Sequence, residues 1–436
     1  MQLSEEFLYH IWDAQHLKEN LTTISGKKLV IKFPGRWNTD SGPDFKDAII
    51  QINGKIVKGD IEIDLTSYHW KSHSHNENPE FNSVLLHIVY EDKGKYPYTI
   101  SEDGCKIEIL EIREQLDEDI NKLIKYYSGE SYSEKDKACI LFNDISIDDT
   151  KQFLSKIGMM RFEKKIKRFS AEHFFSDFDQ LLYMGFMEAL GYSKNKFQML
   201  QIALNISYKD LKQFYKEGMT KGEYIAVLIC SSGLIDNLPA TISLDYIKKW
   251  QTLFKKQKFA KQPSDIKWKL FRIRPVNHPA IRILQVAGLL YDSLETSFFH
   301  NILKLFSFPI GDIKLIDFKK KLYGYFQKEN DFLPDRYKLG KTRIDTILIN
   351  IILPLTVIYA REKEYKQLED VAINIYQSFP GLQDNYLTQY MEKFLNKEQK
   401  KEIRKRAIYQ QGLLKVYYEN CKHHYCAACE TIKNIS

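Results

Sequence analysis

Apolar residues recur at helical spacing over Ser4–Leu17, where Phe7, Leu8, Ile11 and Trp12 share a face, so a short amphipathic helix is expected there. The period then changes. Leu29-Val30-Ile31-Lys32-Phe33 reads as a strand closed by Pro34-Gly35, and a hairpin is expected from about Asp44 to Leu65 around Asn53-Gly54. Ser83–Tyr90 is apolar nearly throughout and rich in branched side chains, as suits a strand buried on both faces. Tyr98–Ile100 and Lys106–Leu110 supply two shorter strands. From about residue 112 long amphipathic stretches take over: Thr150–Phe169, Phe178–Leu190 before Gly191, Asp210–Glu217, Leu244–Lys258, Ala280–Ser293, Lys314–Phe326, Asp345–Ala360 and Glu398–Glu419. The expected class is α+β, with a β-rich domain over residues 1–111 and a mainly helical region over residues 112–436.

The hairpin carries the clearest chemistry. Alternation sends Asp60, Glu62 and Asp64 to one face of the second strand, and Ile61, Ile63 and Leu65 to the other. Three like charges on one face repel each other. A bound divalent cation would compensate them; so would solvent or nearby lysines. A two-residue turn at Asn53-Gly54 pairs Asp44 with Ile63 and points it away from Glu62. A three-residue loop, Asn53-Gly54-Lys55, sets Asp44 opposite Asp64 and Lys46 opposite Glu62. This second register sorts the charges better and leaves only Asp47 on the apolar side. It makes Asp44, Glu62 and Asp64 candidate oxygen ligands for Mg²⁺ or Mn²⁺. A charged, hydrated outer face is the alternative.

Trp70-Lys71-Ser72-His73-Ser74-His75 follows the acidic strand, with His69 and His87 nearby. In extended chain His73 and His75 share a face and converge on the acids, as ligands or general bases; otherwise they fix the loop by hydrogen bonds. His87, inside an apolar strand, reads as a satisfied core histidine. At the C-terminus Cys421, Cys426 and Cys429 have a metal-binding spacing without a fourth cysteine beside them. His423, His424, Cys139 or Cys230 would complete a zinc site, and an iron–sulfur cluster fits the same count. Reduced thiols packed as small hydrophobes are the other reading. Arg272, Arg274 and Arg282, around a turn-rich Pro275–Pro279 stretch, are candidates for phosphate binding or for internal ion pairs.

Composition narrows the picture modestly. The 436 residues suffice for two or three cores, and 27 Tyr and 26 Phe argue against disorder. The net charge of +7, from 64 basic and 57 acidic residues, permits a polyanionic partner such as nucleic acid without requiring one. Basic residues concentrate in Lys255–Lys269 and Lys393–Lys415, as solvated faces or as a nucleic-acid footprint. The N-terminus is acidic where a signal peptide is basic, and the longest apolar run, Thr346–Ala360, falls short of a membrane span. A cytoplasmic protein without a membrane partner is therefore expected, and no disulfide framework.

Pro43-Asp44 and Glu62-Ile63-Asp64, with a helix before and a strand after, resemble the PD-(D/E)XK nuclease superfamily. That resemblance implies a restriction-endonuclease-like mixed sheet in which Asp44 and Glu62 hold the metal. Asp64 stands where the superfamily has lysine, and Lys46 would supply the ammonium. The wider set Gly42-Pro43-Asp44-Phe45, Gly59-Asp60-Ile61-Glu62-Ile63, Trp70, His73, His75, Val84-Leu85-Leu86-His87, Arg274-Pro275 with Asn277 and Pro279, Pro380-Gly381 with Asp384-Asn385, Gln411-Gly412-Leu413 and the terminal cysteines resembles a bacterial family known only as a domain of unknown function. In that family the position of Asp64 is usually His. The expected function is a Mg²⁺- or Mn²⁺-dependent nuclease or phosphodiesterase, with catalytic residues Asp44, Glu62, Lys46, His73 and His75. A non-enzymatic binding or scaffold protein with a structural metal at its C-terminus is the alternative.

Overall fold

A computed structural model describes residues 3–127, 139, 141–143, 145–240, 242–256, 266–306, 315–328, 337–426 and 429. The fold is α+β, a mixed sheet followed by a mainly helical region. The chain forms two compact units. The first comprises Met1–Phe174, Asp384–Ile403 and Tyr409–Ser436, and the second Phe175–Gln383 and Arg404–Ile408. The change of texture near residue 112 thus falls inside the first unit.

The first unit opens with helix α1 (Glu5–Ala14), whose Ser4 N-cap accepts from the Phe7 N–H. The sheet follows: β1 (Leu21–Thr22), β2 (Lys28–Phe33), β3 (Arg36–Trp37), β4 (Phe45–Ile52), β5 (Lys55–Thr66), β6 (Val84–Glu91), β7 (Tyr98–Ile100) and β8 (Lys106–Glu111). Its order is β1-β2-β4-β5-β6-β8-β7, with β3 pairing along β4. Pairing is antiparallel from β1 to β5, then parallel between β5 and β6 and between β6 and β8. A parallel pair needs a crossover connection. Between β5 and β6 it holds helix α2 (His69–Ser72) and two short 3₁₀ turns.

One sheet face is apolar. Ile61 and Ile63 of β5 and Leu86 and Ile88 of β6 share a core with Phe7, Leu8, Ile11 and Trp12 of α1. Alternation therefore turns Glu62, Asp64 and His87 to the other face, where the indole of Trp70 in α2 lies 5.1 Å from the His87 ring.

In the second unit the Thr346–Ala360 run belongs to one continuous helix, Lys341–Glu362. Its 22 residues are long and apolar enough to cross a membrane, yet 72% of the apolar window is buried inside the protein. Pro354 lacks the N–H for a regular bond, and a π-helical turn over Leu348–Ile352 precedes it. The expected helix over Glu398–Glu419 is two helices, Lys397–Ile403 and Ala407–Glu419. The ends of the expected Leu244–Lys258 and Lys314–Phe326 helices, and much of the basic Lys255–Lys269 stretch, lie outside the described residues.

Candidate metal centre

The hairpin departs from both expected registers. Asn53 and Gly54 have φ of 46° and 84°, and Ile52 pairs with Lys55, so the turn has two residues, not three. Pairing continues to Ala48 opposite Gly59, then shifts by one, so that Phe45 faces Ile61. The shift is a β-bulge: Lys46 and Asp47 together oppose Asp60, and Asp47 takes φ 58°. Asp60 fastens it, accepting from the Asp47 N–H at 3.0 Å, Lys46 Nζ at 3.0 Å and Ser83 Oγ at 2.6 Å. Lys46 is therefore held on Asp60 rather than opposite Glu62.

The bulge also explains the charge on the apolar side. Asp47 leaves that side to meet Arg36, and Lys58 at 3.2 Å, while Arg36 reaches Glu172 at 2.8 Å. Burial works against the Asp47 anion, but Arg36 and Lys58 outweigh it and hold its carboxyl below the usual range.

Beyond the bulge the shifted register sets Asp44 beside Glu62. The Asp44 N–H donates to Glu62 Oε2 at 3.2 Å, and the Ile63 N–H to Asp44 Oδ2 at 2.9 Å. The acidic face of β5 is not hydrated: Asp60, Glu62 and Asp64 are only 8%, 6% and 1% exposed, so the solvated-face reading fails. Burial, then the Glu62 charge, pushes Asp44 up to about 8. Burial, then Asp64, pushes Glu62 up to about 8 as well.

The imidazoles close on these acids from the crossover. The chain around His73 is not extended; α2 ends there, and Ser74 turns with φ 59°. The two histidines consequently reach different carboxylates. His73 Nδ1 lies 3.4 Å from Asp64 Oδ1, and His75 Nε2 lies 3.0 Å from Glu62 Oε1. His75 Nε2 is close to Glu62 but outside hydrogen-bonding geometry, which leaves a buried nitrogen without a hydrogen-bond partner. Burial lowers the His75 pKa, favouring the neutral, ligating form, and its ring stacks on Phe81 with centroids 4.0 Å apart. His87 is fully buried with Nε2 3.1 Å from Asp64 Oδ2.

Two donor sets result, each with all its atoms within 4.8 Å of one another: Glu62, Asp64 and His75, and Glu5, Asp64, His69 and His73. Asp64 belongs to both. Sequence reading missed the contribution of α1. The Tyr9 hydroxyl lies close enough to Asp44 to favour its anion, and Glu5 Oε1 lies 3.1 Å from His69 Nδ1. Their i,i+4 spacing was the available signal, but only the fold brings that helix face to the hairpin.

The remaining candidates lie elsewhere. Arg282 is buried in the second unit, donating to the Tyr192 hydroxyl at 2.6 Å, Asn277 Oδ1 at 2.7 Å and Gln285 Oε1 at 2.9 Å. Arg272 and Arg274 are exposed. Cys421, Cys426 and Cys429 are thiols in the first unit.

Fold and site together define an α+β protein with a buried carboxylate–imidazole cluster on one face of its sheet. A family model described as "Protein of unknown function (DUF2851)" matches residues 5–385, and the chain belongs to that family. Neither curated proteins nor solved structures give a match.

Proposed function

We propose that this cluster is the centre of a divalent-metal-dependent hydrolase acting on phosphodiester bonds of nucleic acid. One observation carries the reading. Glu62 and Asp64 are buried beside half-buried Asp44 and a His75 Nε2 that makes no hydrogen bond, an arrangement that is costly unless a cation neutralises it. The donor set is mostly oxygen with imidazole, which suits Mg²⁺ or Mn²⁺. Bound there, such an ion would polarise a phosphoryl oxygen and acidify a water.

The chain's own groups have distinct tasks. Glu62, Asp64 and His75, with Asp44 beside them, would hold the ion; Tyr9 orients Asp44, and His87 orients Asp64. His73, with its side chain 44% exposed, is the imidazole placed to exchange a proton with solvent. Lys46, fixed by Asp60, places positive charge near Glu62. A helix ahead of the antiparallel strands β2, β4 and β5, with β6 parallel to β5 and acids at the mouth of β4 and on β5, supports a nuclease-type reading.

The pairing of Asp64 with buried His87 and of Asp44 with Tyr9 favours a second reading, a structural network in a non-enzymatic binding protein. A cleavage panel of single- and double-stranded DNA and RNA with Mg²⁺ or Mn²⁺ separates the two. Metal-dependent cleavage by wild type and none by Glu62→Gln is the expected result. Cleavage that survives in the variant would remove the site from the reaction.

A further inference from the structure

The C-terminal cysteines form a second centre, independent of the hairpin. Cys421 opens a 3₁₀ turn ending at His423, and His424 then reverses the chain with φ 58°. The Tyr425 N–H returns to the Asn420 carbonyl at 3.1 Å. Cys426 and Cys429 follow, three residues apart and each in helical conformation. Cys429 is buried in a core with Leu141, Phe142, Phe153 and Leu413. Cys421 packs against the same core, and so does Cys139, which is almost 300 positions earlier in sequence. A turn fixes Cys139 there, its carbonyl accepting from the N–H groups of Phe142 at 3.0 Å and Asn143 at 2.9 Å.

The other candidates for a fourth ligand are engaged elsewhere. His423 stacks on Trp37 with centroids 5.6 Å apart and meets the His10 ring edge-on at 4.5 Å. His424 is exposed, and Cys230 belongs to the second unit. We propose that Cys139, Cys421, Cys426 and Cys429 form a four-thiolate site for a thiophilic metal, a zinc ion or an iron–sulfur cluster, that ties the C-terminal tail to the segment around residue 139.

The electrostatics agree. Burial, then the neighbouring Cys139 and Cys426, pushes the Cys421 thiol up to about 12. Burial, then Cys421, Cys139 and Cys426, raises Cys429 as well. Thiols buried in apolar surroundings are poor thiolates alone and good ones around a cation, so loading would release their protons.

The test is metal analysis of the full chain purified without oxygen, followed by Cd²⁺ titration of the metal-free form, read by sulfur-to-cadmium charge-transfer absorption. Bound zinc alone would identify a single ion. Iron with equimolar acid-labile sulfide and visible absorption would identify a cluster. Either metal should fall at least tenfold in Cys139→Ser and in Cys421→Ser, and stay unchanged in the exposed Cys105→Ser. The cadmium band should drop by about a quarter in Cys139→Ser if that variant stays folded, because one of four thiolates is gone. Undiminished metal or an undiminished cadmium band in Cys139→Ser would overturn the assignment of Cys139. Wild type that takes up neither zinc, iron nor cadmium would overturn the site.

Discussion

Asp44 lies beside Glu62 because one residue between them in the chain, Asp47, bulges out of β4 and shifts the pairing by one. In a regular two-residue hairpin Asp44 would face Ile63 instead. The bulge is the element that assembles the acidic site, and most of the expected behaviour follows from it.

Replacing Asp47 tests the bulge. Asp47→Ala loses the pair with Arg36 and puts alanine in left-handed backbone, so a loss of about 2 kcal/mol is expected in urea unfolding. Asp47→Asn keeps a residue tolerant of that backbone and should lose about half as much. Equal losses would mean that the conformation contributes nothing.

The acids give the metal-free protein a distinctive pH dependence. Asp44 and Glu62 titrate near 8 when folded, against the ordinary carboxylate range near 4 when unfolded. Between those values the native state binds more protons than the unfolded chain, so their contribution to stability is present below about pH 4 and lost as pH rises through 8. The melting temperature of metal-free wild type should therefore fall over this window more steeply than that of Asp44→Asn/Glu62→Gln. Added Mn²⁺ should restore most at the alkaline end. Parallel curves for the two proteins would contradict this.

Tyr9 acts through Asp44. Tyr9→Phe removes a hydroxyl that favours the Asp44 anion, and should weaken Mn²⁺ binding by roughly tenfold while leaving the fold intact. Isothermal titration of both proteins checks it; an unchanged affinity would take Tyr9 out of the site.

Gly59 lets β5 pass close to the Ser83–Leu85 stretch. A Cβ there would stand 2.8 Å from the Ser83 carbonyl oxygen and 2.5 Å from Leu85 Cδ2. Gly59→Ala should cost about 1–3 kcal/mol in denaturant unfolding, because backbone must move. A neutral result would show that β6 shifts freely.

Much of this was legible in sequence. The 2.0-residue alternation of β5 and the branched run of β6 located the strands to within about a residue or two, and the helical periods beyond residue 112 gave the class. Register was not legible. A bulge at a non-glycine residue has no period to betray it, and moving one residue decides whether Asp44 faces Ile63, Asp64 or Glu62. Nor could spacing reveal that Tyr9 and Glu5 reach the hairpin, or that Cys139 meets the tail. Those contacts depend on tertiary packing between distant segments.

Mn²⁺ binding to the metal-free full chain near pH 8, followed by electron paramagnetic resonance in wild type and Glu62→Gln, decides whether the buried acids are a metal centre. Saturable binding by wild type, weakened at least tenfold in the variant, is the predicted result. No saturable binding, or equal binding by both proteins, would make the cluster a structural network and end the case for hydrolysis at this site.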